Sequence, residues 1–326
     1  MKYVFFLSEE DYFPVMFRDL YSKEGCYIIA AKFLPDLTST FLKLVRKIHV
    51  SRKLQKILHF SLPLQSIWFP RFPQLDSREE KTAVFIHPFL GAYDDGFIRF
   101  LRKKYNFKKF VLFLTDPYEK ANSVPSLDKM KENYDLILSV DYNDCKKYGF
   151  IYRENCYSKV VYEEKKEFYS DIFFIGNAKG RLDLLHEIYR ICVDSGLHPV
   201  FYIVGVPDEE QIYPGIFYNK RLPYPVAAEY AANTKILLEV LQEGQSGLTL
   251  RTQEALTYGK KLLTNNFLIK ELACYDPCNI HVFSLPDRID KRFLTECGKC
   301  HYENIPAFSA DNFLGFIQNN IDNMKI

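Results

Sequence analysis

The sequence predicts an α/β protein made of two Rossmann-like domains that face each other across a cleft. Short apolar runs alternate with longer amphipathic stretches along the chain, which is the pattern of repeated strand–helix units. The apolar runs are rich in Val, Ile, Leu and Phe without strict alternation, as expected for parallel strands covered on both faces. A length of 326 residues fits two domains, at roughly 100–200 residues per domain.

The first half of the chain contains five predicted strands. They are residues 3–7, 26–30, 82–86, 110–114 and 136–140. Residues 97–105 and 126–133, which lie between them, have the pattern of helices. Asp94 and Asp95 precede the first of these helices, and Asp141 with Asp144 suits a turn before residues 145–148, so these carboxylates are candidate helix caps.

The second half repeats the pattern. Its predicted strands are residues 171–175, 199–204, 235–239 and 261–264, and its predicted helices are residues 182–195 and 249–258. We interpret the charged residues 163–167 as a linker, which gives domains of residues 1–165 and 166–310. Residues 311–326 are predicted to form a closing helix with Asp311 as its N-cap.

Composition excludes several classes of protein. A net charge of +2 from 43 basic and 41 acidic residues argues against a globally polycationic nucleic-acid binder. No apolar run approaches the roughly 18–20 residues of a membrane-spanning helix. The apolar start of the chain runs directly into acidic residues, so we interpret it as a strand rather than a secretion signal. Eight cysteines are too sparse for a disulfide scaffold, and we therefore expect reduced thiols and a cytoplasmic location.

The most informative segment is residues 243–266, where a glycine-containing loop opens a predicted helix. Unpaired backbone N–H groups and a partial positive charge make such a helix N-terminus a ready anion site. Arg251 lies in the first turn, where a cation is unfavourable unless an anion such as a diphosphate sits beside it. Glu254 falls on the same helical face and could accept hydrogen bonds from ribose hydroxyls. An ordinary capped helix with a solvated Arg and Glu is the alternative.

Residues 247–266, GLTLRTQEALTYGKKLLTNN, resemble the signature of bacterial GT-B glycosyltransferases that build surface polysaccharides and lipopolysaccharides. Three further motifs agree in order along the chain: TDP at 115–117, YDLILSVDYNDCKKYG at 134–149 and DIFFIGNAKGRLDLL at 171–185. The resemblance extends over residues 80–285. It implies the GT-B fold, with an acceptor-binding domain at residues 1–165 and a nucleotide-sugar-binding domain at residues 166–310.

The resemblance also implies a donor site on the second domain. The implied contacts are Gly176, Asn177 and Lys179 near the phosphates, Gly247, Leu248, Thr249 and Arg251 around the diphosphate, Glu254 at the ribose and Tyr224 at the base. A surface lysine and a loop aromatic are the alternatives for Lys179 and Tyr224. The commonest GT-B pattern has two glutamates in this region. Here Glu243 and Glu254 stand further apart, so only the role of Glu254 is carried over.

The implied reaction builds negative charge on a departing diphosphate, which pre-placed donors stabilise. Arg251 and the helix end can do this without a metal ion, so we expect no metal and no cofactor besides the nucleotide sugar as co-substrate. An inverting enzyme needs a general base near the acceptor hydroxyl, and His87, directly after a predicted strand, is the first candidate. Asp94, Asp95 and Asp116 are weaker candidates, and a retaining mechanism can proceed without a base.

The segment from Phe41 to Phe60 contains six lysines and arginines and no acidic residue. Its apolar positions fit a helical stripe loosely, so it could rest on an anionic membrane surface and suit a lipid-linked acceptor. A solvated face over an ordinary core contact is the alternative. Nucleic acid is disfavoured as a partner, because no base-reading motif accompanies the charge.

A second cluster combines cysteines with a histidine near the end of the chain. Cys274, Cys278, Cys297, Cys300 and His301 could be drawn as a zinc site, but the spacing of the first pair and the late position favour reduced structural thiols.

The favoured function is a cytoplasmic glycosyltransferase of the hexosyltransferase type, peripheral to the inner face of a membrane if residues 41–60 dock there. It would move a sugar from a nucleotide donor to a glycan or lipid-linked acceptor. Two alternatives remain open: a sugar-nucleotide epimerase of the same fold, and a catalytically silent partner subunit.

Overall fold

The computed structural model describes residues 2–34, 36–49, 65–120, 126–162, 168–242, 245, 247–296, 298 and 300–324. These residues form two six-stranded parallel sheets. The first contains β1 Lys2–Leu7, β2 Cys26–Ala30, β3 Lys81–Ile86, β4 Phe107–Leu114, β5 Leu136–Ser139 and β6 Ile151–Tyr152, in the order β2-β1-β3-β4-β5-β6. The second contains β7 Ser170–Asn177, β8 Pro199–Val204, β9 Phe217–Tyr218, β10 Thr234–Glu239, β11 Lys261–Thr264 and β12 Ile280–Val282, in the order β12-β11-β10-β7-β8-β9.

Ten α-helices lie in the described residues. They are α1 Phe13–Met16, α2 Thr40–His49, α3 Asp95–Tyr105, α4 Leu127–Asn133, α5 Tyr142–Tyr148, α6 Leu182–Asp194, α7 Tyr224–Ala232, α8 Leu250–Tyr258, α9 Lys291–Thr295 and α10 Ala310–Asn323. Every strand predicted from the sequence is present, and the α/β architecture with two doubly wound sheets is confirmed. The short strands β6, β9 and β12 were not predicted from the pattern, because two or three residues are too few to show one. The predicted linker, residues 163–167, lies outside the described residues.

Phenylalanines fill both faces of the first sheet. On one face Phe6 stacks on Phe85 with ring centroids 4.9 Å apart, inside a cluster that α3 covers. On the other face Phe5 and Phe113 contact Phe313 of α10, at centroid distances of 6.3 and 5.0 Å. Helix α10 therefore covers this face of the first sheet. Burial of each such phenylalanine stabilises the folded protein by about 1.5–3 kcal/mol.

The cap of α10 differs from the prediction. The Ser309 hydroxyl accepts a hydrogen bond from the backbone N–H of Asn312 at 3.2 Å, so Ser309 and not Asp311 is the N-cap. Asp311 lies inside the first turn instead, and its carboxylate pairs with Lys23 at 2.8 Å. A carboxylate at that position is favourable for the helix macrodipole, which explains why its sequence position resembles that of a cap.

The strand orders place a topological switch point in each sheet. In the first sheet it lies between β1 and β3, and in the second between β7 and β10. In open parallel sheets ligands bind outside the carboxyl ends of the strands at such a point. Loops after β1, β4 and β5 of the first sheet and after β7 and β10 of the second line one common cavity. Within the described residues, no helix combines the length and the apolar character that crossing a bilayer requires.

Polar contacts tie the two halves together beside this cavity. The carboxylate of Asp11, after β1, accepts a hydrogen bond from the backbone N–H of Tyr224 at the start of α7, at 2.7 Å. The side chain of Gln253 in α8 donates to the carbonyl of Asn155 at 2.6 Å. Both bonds join residues of the first half to residues of the second, and Asp11, Tyr224 and Asn155 also line the cavity.

Candidate functional site

The candidate site is a cavity of about 490 Å³ that residues of both halves line. The first half contributes residues after β1, β4 and β5, among them Asp11, Asp116 and Val140. The second half contributes residues after β7 and β10 and the start of α8. A small-molecule site of this size is large enough for a compact polar ligand.

Arg251 lies in the wall of this cavity and is already paired. Its side chain is 11% exposed, and its guanidinium contacts both carboxylate oxygens of Glu254, with Nη1–Oε2 and Nη2–Oε1 distances of 2.6 and 3.1 Å. The guanidinium also lies 5.8 Å from the ring centroid of Phe173. The cation in the first turn of α8 is thus balanced by a carboxylate of the same helix, so it does not by itself require a bound anion. It still borders the cavity and remains available to one.

Glu254 is fully buried and does not border the cavity among the described residues. Besides Arg251, it accepts a hydrogen bond from the hydroxyl of Tyr224 at 2.7 Å. Burial raises the pKa of Glu254, and Arg251 and Tyr224 oppose that rise. Glu254 therefore positions Arg251 and Tyr224 in this structure, and its predicted ribose contact stays a prediction that would require this cluster to open.

Tyr224, Gly247, Leu248 and Thr249, which the resemblance implies as donor contacts, all border the cavity. Gly247 has a φ of 99°, and a Cβ at this position would overlap the backbone carbonyl oxygen of Val140 in the first half. Only glycine fits both requirements, since side chains rarely adopt that backbone and the opposing carbonyl leaves no room. Thr249 caps α8 by accepting the backbone N–H of Arg251 at 3.1 Å.

Glu239, at the carboxyl end of β10, organises this wall and was not predicted from the sequence. Its Oε1 accepts hydrogen bonds from the hydroxyls of Thr249 and Thr252, the latter at 2.7 Å. Its Oε2 accepts a bond from Thr264 at 2.5 Å. Glu239 thereby joins β10, β11 and α8. The sequence did contain a signal for this role: Glu239 is the last residue of the strand TKILLE, at the edge of a parallel sheet where ligands bind.

Arg181 is a second cavity-lining cation that the sequence analysis missed. Its guanidinium donates to the carbonyls of Val240 and Asn177, the latter at 3.0 and 3.1 Å, and lies 5.5 Å from the ring centroid of Phe174. No carboxylate among the described residues forms an ion pair with it. Burial lowers the pKa of Arg181 to about 10, and Glu239 opposes the shift. At neutral pH it therefore remains a cation at the cavity.

Gly176, Asn177 and Lys179 were predicted as contacts to the phosphates. Gly176 and Asn177 are the last two residues of β7, whereas Lys179 follows that strand. Asn177 borders the cavity, whereas Lys179 is exposed on the following turn with a φ of 37° and does not border it among the described residues. A Cβ on Gly176 would lie 2.9 Å from Nη2 of Arg181, so glycine at this position makes room for the guanidinium. The predicted charge neutralisation by Lys179 has no support from this arrangement, and Arg181 is the cation in place.

His87 is buried in the first half, next to the cavity-lining residue Asp116. Its Nδ1 lies 2.5 Å from the hydroxyl of Tyr93, and its Nε2 lies 3.7 Å from a carboxylate oxygen of Asp116. Burial lowers the pKa of His87, and Asp116 opposes the shift. Asp116 itself borders the cavity with 59% of its side chain exposed. A substrate in the cavity would therefore meet Asp116 first and His87 only through it.

The other predicted polar residues are structural in this arrangement. Asp94 caps α3 by accepting the backbone N–H of Phe97 at 2.8 Å, and Asp141 caps α5. Neither borders the cavity among the described residues. No group of three or more His, Cys, Asp or Glu side chains in the described part of the chain is arranged to hold a metal ion, and Cys297 lies outside that part.

Comparison with known proteins identifies the architecture. The sequence matches no family model and no curated protein. Among solved structures, AviGT4, a glycosyltransferase involved in avilamycin A biosynthesis, has a TM-score of 0.50 and 10% identity over 75% of this chain and 85% of its own. The likeness at this identity shows the fold alone. With its two parallel six-stranded sheets, the chain has the GT-B fold.

Two further solved structures have lower TM-scores. A TarM mutant of S. aureus, solved with fondaparinux, alpha-GlcNAc-glycerol and UDP, has a TM-score of 0.47 and 12% identity over 73% of this chain. This chain spans 55% of the length of that protein. The T4 phage protein BGT, solved with UDP-glucose, has a TM-score of 0.45 and 10% identity over 90% of this chain and 88% of its own.

Proposed function

We propose that this chain is a glycosyltransferase that moves a sugar from a nucleoside-diphosphate donor to a glycan or lipid-linked acceptor. One observation carries the proposal: Arg181, Arg251 and the N-terminus of α8 converge on a single cavity at the switch point of the second sheet. Arg181 has no ion-pair partner among the described residues, and the helix N-terminus adds backbone N–H donors beside Arg251, whose charge Glu254 already balances. Together these groups form a site for an anionic ligand. The GT-B fold, shared with a solved glycosyltransferase, supports transfer over simple binding.

The donor would lie along the second sheet. Its diphosphate would meet Arg181 on one side and Arg251 with the backbone of residues 247–249 on the other. The base would lie towards Tyr224, whose ring borders the cavity while its hydroxyl is held by Glu254. This arrangement keeps the predicted contacts of Asn177, Gly247, Leu248, Thr249 and Arg251 and adds Arg181.

In the proposed reaction the bond between the anomeric carbon and the diphosphate oxygen breaks while the acceptor oxygen bonds to that carbon. Negative charge then accumulates on the departing diphosphate. Arg181, Arg251 and the helix N-terminus would stabilise this charge without a metal ion, because such donors are already oriented before reaction. The reaction therefore needs neither a metal nor a cofactor in this proposal.

For transfer with inversion, Asp116 is the group placed to accept the proton of the acceptor hydroxyl. It borders the cavity from the first half, opposite the two arginines. His87, which the sequence analysis proposed as the base, would act behind it as a positioning residue, since its Nε2 faces the Asp116 carboxylate at 3.7 Å. Asp94 would have no catalytic role, because its carboxylate caps α3.

The acceptor would approach from the first sheet and belong to surface polysaccharide or lipopolysaccharide synthesis at the inner face of a membrane. The sequence resemblance supports this setting. An exposed basic helix on the acceptor side, α2, supports a lipid-linked acceptor.

A panel of nucleoside diphosphates and their sugars, tested by calorimetry in the presence of a metal chelator, tests the function. We expect one nucleotide class to bind selectively. Arg181→Gln should weaken that binding by about tenfold to a hundredfold, the value of a charge-assisted hydrogen bond. Arg190→Gln is the matched control, because Arg190 is exposed on the same helix and does not line the cavity.

The outcomes separate the remaining functions. Binding followed by coupled product with a glycan acceptor supports the transferase. A changed donor sugar without coupled product would indicate an epimerase, and binding without turnover of any donor would indicate a silent partner subunit. Absence of binding to every member of the panel would contradict the proposal as a whole.

A further inference from the structure

Helix α2 presents an uncovered apolar face. Phe41, Leu44 and Ile48 are 71%, 56% and 50% exposed, and the helix has no buried residue. Their spacing of three and four residues puts the three side chains on one face of the helix. A contiguous patch of large apolar side chains on a helix that contributes nothing to the core marks an interaction surface.

Basic side chains run alongside this face. Lys43 and Lys47 are exposed and lie four residues apart, each next in sequence to Leu44 or Ile48, so the two pairs form parallel ridges. The helix contains no acidic residue. Asp36, whose charge acts on Lys43, is itself paired with Lys32 at 2.7 Å. The surface therefore combines an apolar ridge with a positive one.

The helix is held in place from its two ends. Upstream, Phe33 packs into the core of the first sheet against Phe89 and Phe97. Downstream, the indole N–H of Trp68 donates to Nδ1 of His49, the last residue of the helix, at 2.8 Å. Helix α2 therefore lies in sequence between two contacts with the rest of the first half.

We propose that this face of α2 is a docking site for an anionic lipid bilayer. Phe41, Leu44 and Ile48 would enter the boundary between headgroups and acyl chains, while Lys43 and Lys47 would contact lipid phosphates. An amphipathic helix with an apolar face and a basic face lies in the plane of such an interface. Positive charge and exposed apolar area together match an anionic bilayer, which offers both kinds of contact in one plane. The docking does not depend on the proposed transfer reaction.

Co-sedimentation of the full chain with vesicles tests the proposal. We expect binding to phosphatidylcholine vesicles that contain phosphatidylglycerol, and much weaker binding to vesicles of phosphatidylcholine alone. The double variant Lys43→Gln/Lys47→Gln should lower the partition coefficient by one to two orders of magnitude, at about one kcal/mol for each cation. The double variant Leu44→Ser/Ile48→Ser should reduce it at least as far, because it removes the inserted apolar area.

The matched control is Lys129→Gln/Lys131→Gln, which removes two exposed lysines from α4, a helix that also carries Asp128 and Glu132. It should bind like the wild type. Circular dichroism and melting should show every variant folded, since none of the substituted side chains is buried. Equal binding to both kinds of vesicle, absence of binding, or equal loss in the α4 control would overturn the docking site. None of the substituted residues lines the cavity, so nucleotide binding should be unchanged in every variant. The proposed function is therefore tested separately.

Discussion

At the scale of single residues, the pair formed by Arg251 and Glu254 fixes the cavity wall at the start of α8. Glu254 is fully buried and Arg251 nearly so, and their charged groups face each other at 2.6 Å. Removing one partner of a buried ion pair leaves the other charge uncompensated, which costs far more than the pair contributes. The pair therefore stabilises one position of the guanidinium beside the cavity.

We expect Glu254→Gln to lower the free energy of unfolding by about 3 kcal/mol, because Arg251 then stays buried without a counter-charge. Urea denaturation measures the change. The double variant Arg251→Met/Glu254→Gln should lose less than Glu254→Gln alone, since no charge remains unpaired. If the double variant were the less stable of the two, the ion pair would not be what holds this wall.

Several site residues could be predicted from the sequence because local patterns place them. Arg251 was predicted from the first turn of one helix, Thr249 and Gly247 were implied by the family resemblance of the same segment, and all three border the cavity. Arg181 and Glu239 were missed because each has a partner that is remote in sequence. Arg181 donates to the carbonyl of Val240, and Glu239 accepts from Thr264. Periodicity along a chain carries no information about such contacts, whereas the edge of a folded sheet brings them together.

At the scale of secondary-structure elements, the strands could be predicted because buried parallel strands have a strong apolar pattern in the sequence. β3 is buried over all six residues, including Lys81. Its ammonium donates to the carbonyls of Glu79 and Tyr105 at 2.6 and 3.2 Å, and burial lowers its pKa. Such a buried cation looks like a surface residue in sequence. When a strand begins at a buried lysine such as Lys81, the sequence predicts that boundary only to within a few residues.

The loop before α8 gives a prediction at this scale. Gly247→Ala should destabilise the protein more than Gly149→Ala, although both glycines have positive φ values, of 99° and 73°. A Cβ at Gly247 overlaps the Val140 carbonyl, whereas a Cβ at Gly149 meets nothing within 4 Å. Both variants pay the backbone cost of about 1 kcal/mol or more, and only the first also pushes the two halves apart.

Urea denaturation of both variants measures the difference, and nucleotide calorimetry shows whether the cavity is affected. We expect weaker nucleotide binding for Gly247→Ala and unchanged binding for Gly149→Ala. If both variants lost the same stability and bound nucleotide equally, the close approach of Gly247 to Val140 would contribute nothing to stability or binding.

At the scale of the whole molecule, the first and last described elements, β1 and α10, lie in the same half. Strand β1 and helix α10 pack together on one face of the first sheet, while the second sheet and its own core clusters lie between them in sequence. The first half therefore cannot complete its core until the end of the chain is available. The sequence predicted a closing helix but could not show which sheet it closes, because an amphipathic stripe fits either.

Hydrogen exchange tests this division. Phe313→Ala removes a fully buried ring that contacts Phe5 and Phe113, and should cost about 3–5 kcal/mol. If the halves open as separate units, amides of β1 and β4 should exchange faster while those of β7 and β8 keep their protection. Phe201→Ala, at an equally buried position in β8, should give the reverse pattern. Faster exchange throughout both sheets in either variant would mean instead that the bonds from Asp11 and Gln253 couple the halves into one cooperative unit, and the cleft would then open only with global unfolding.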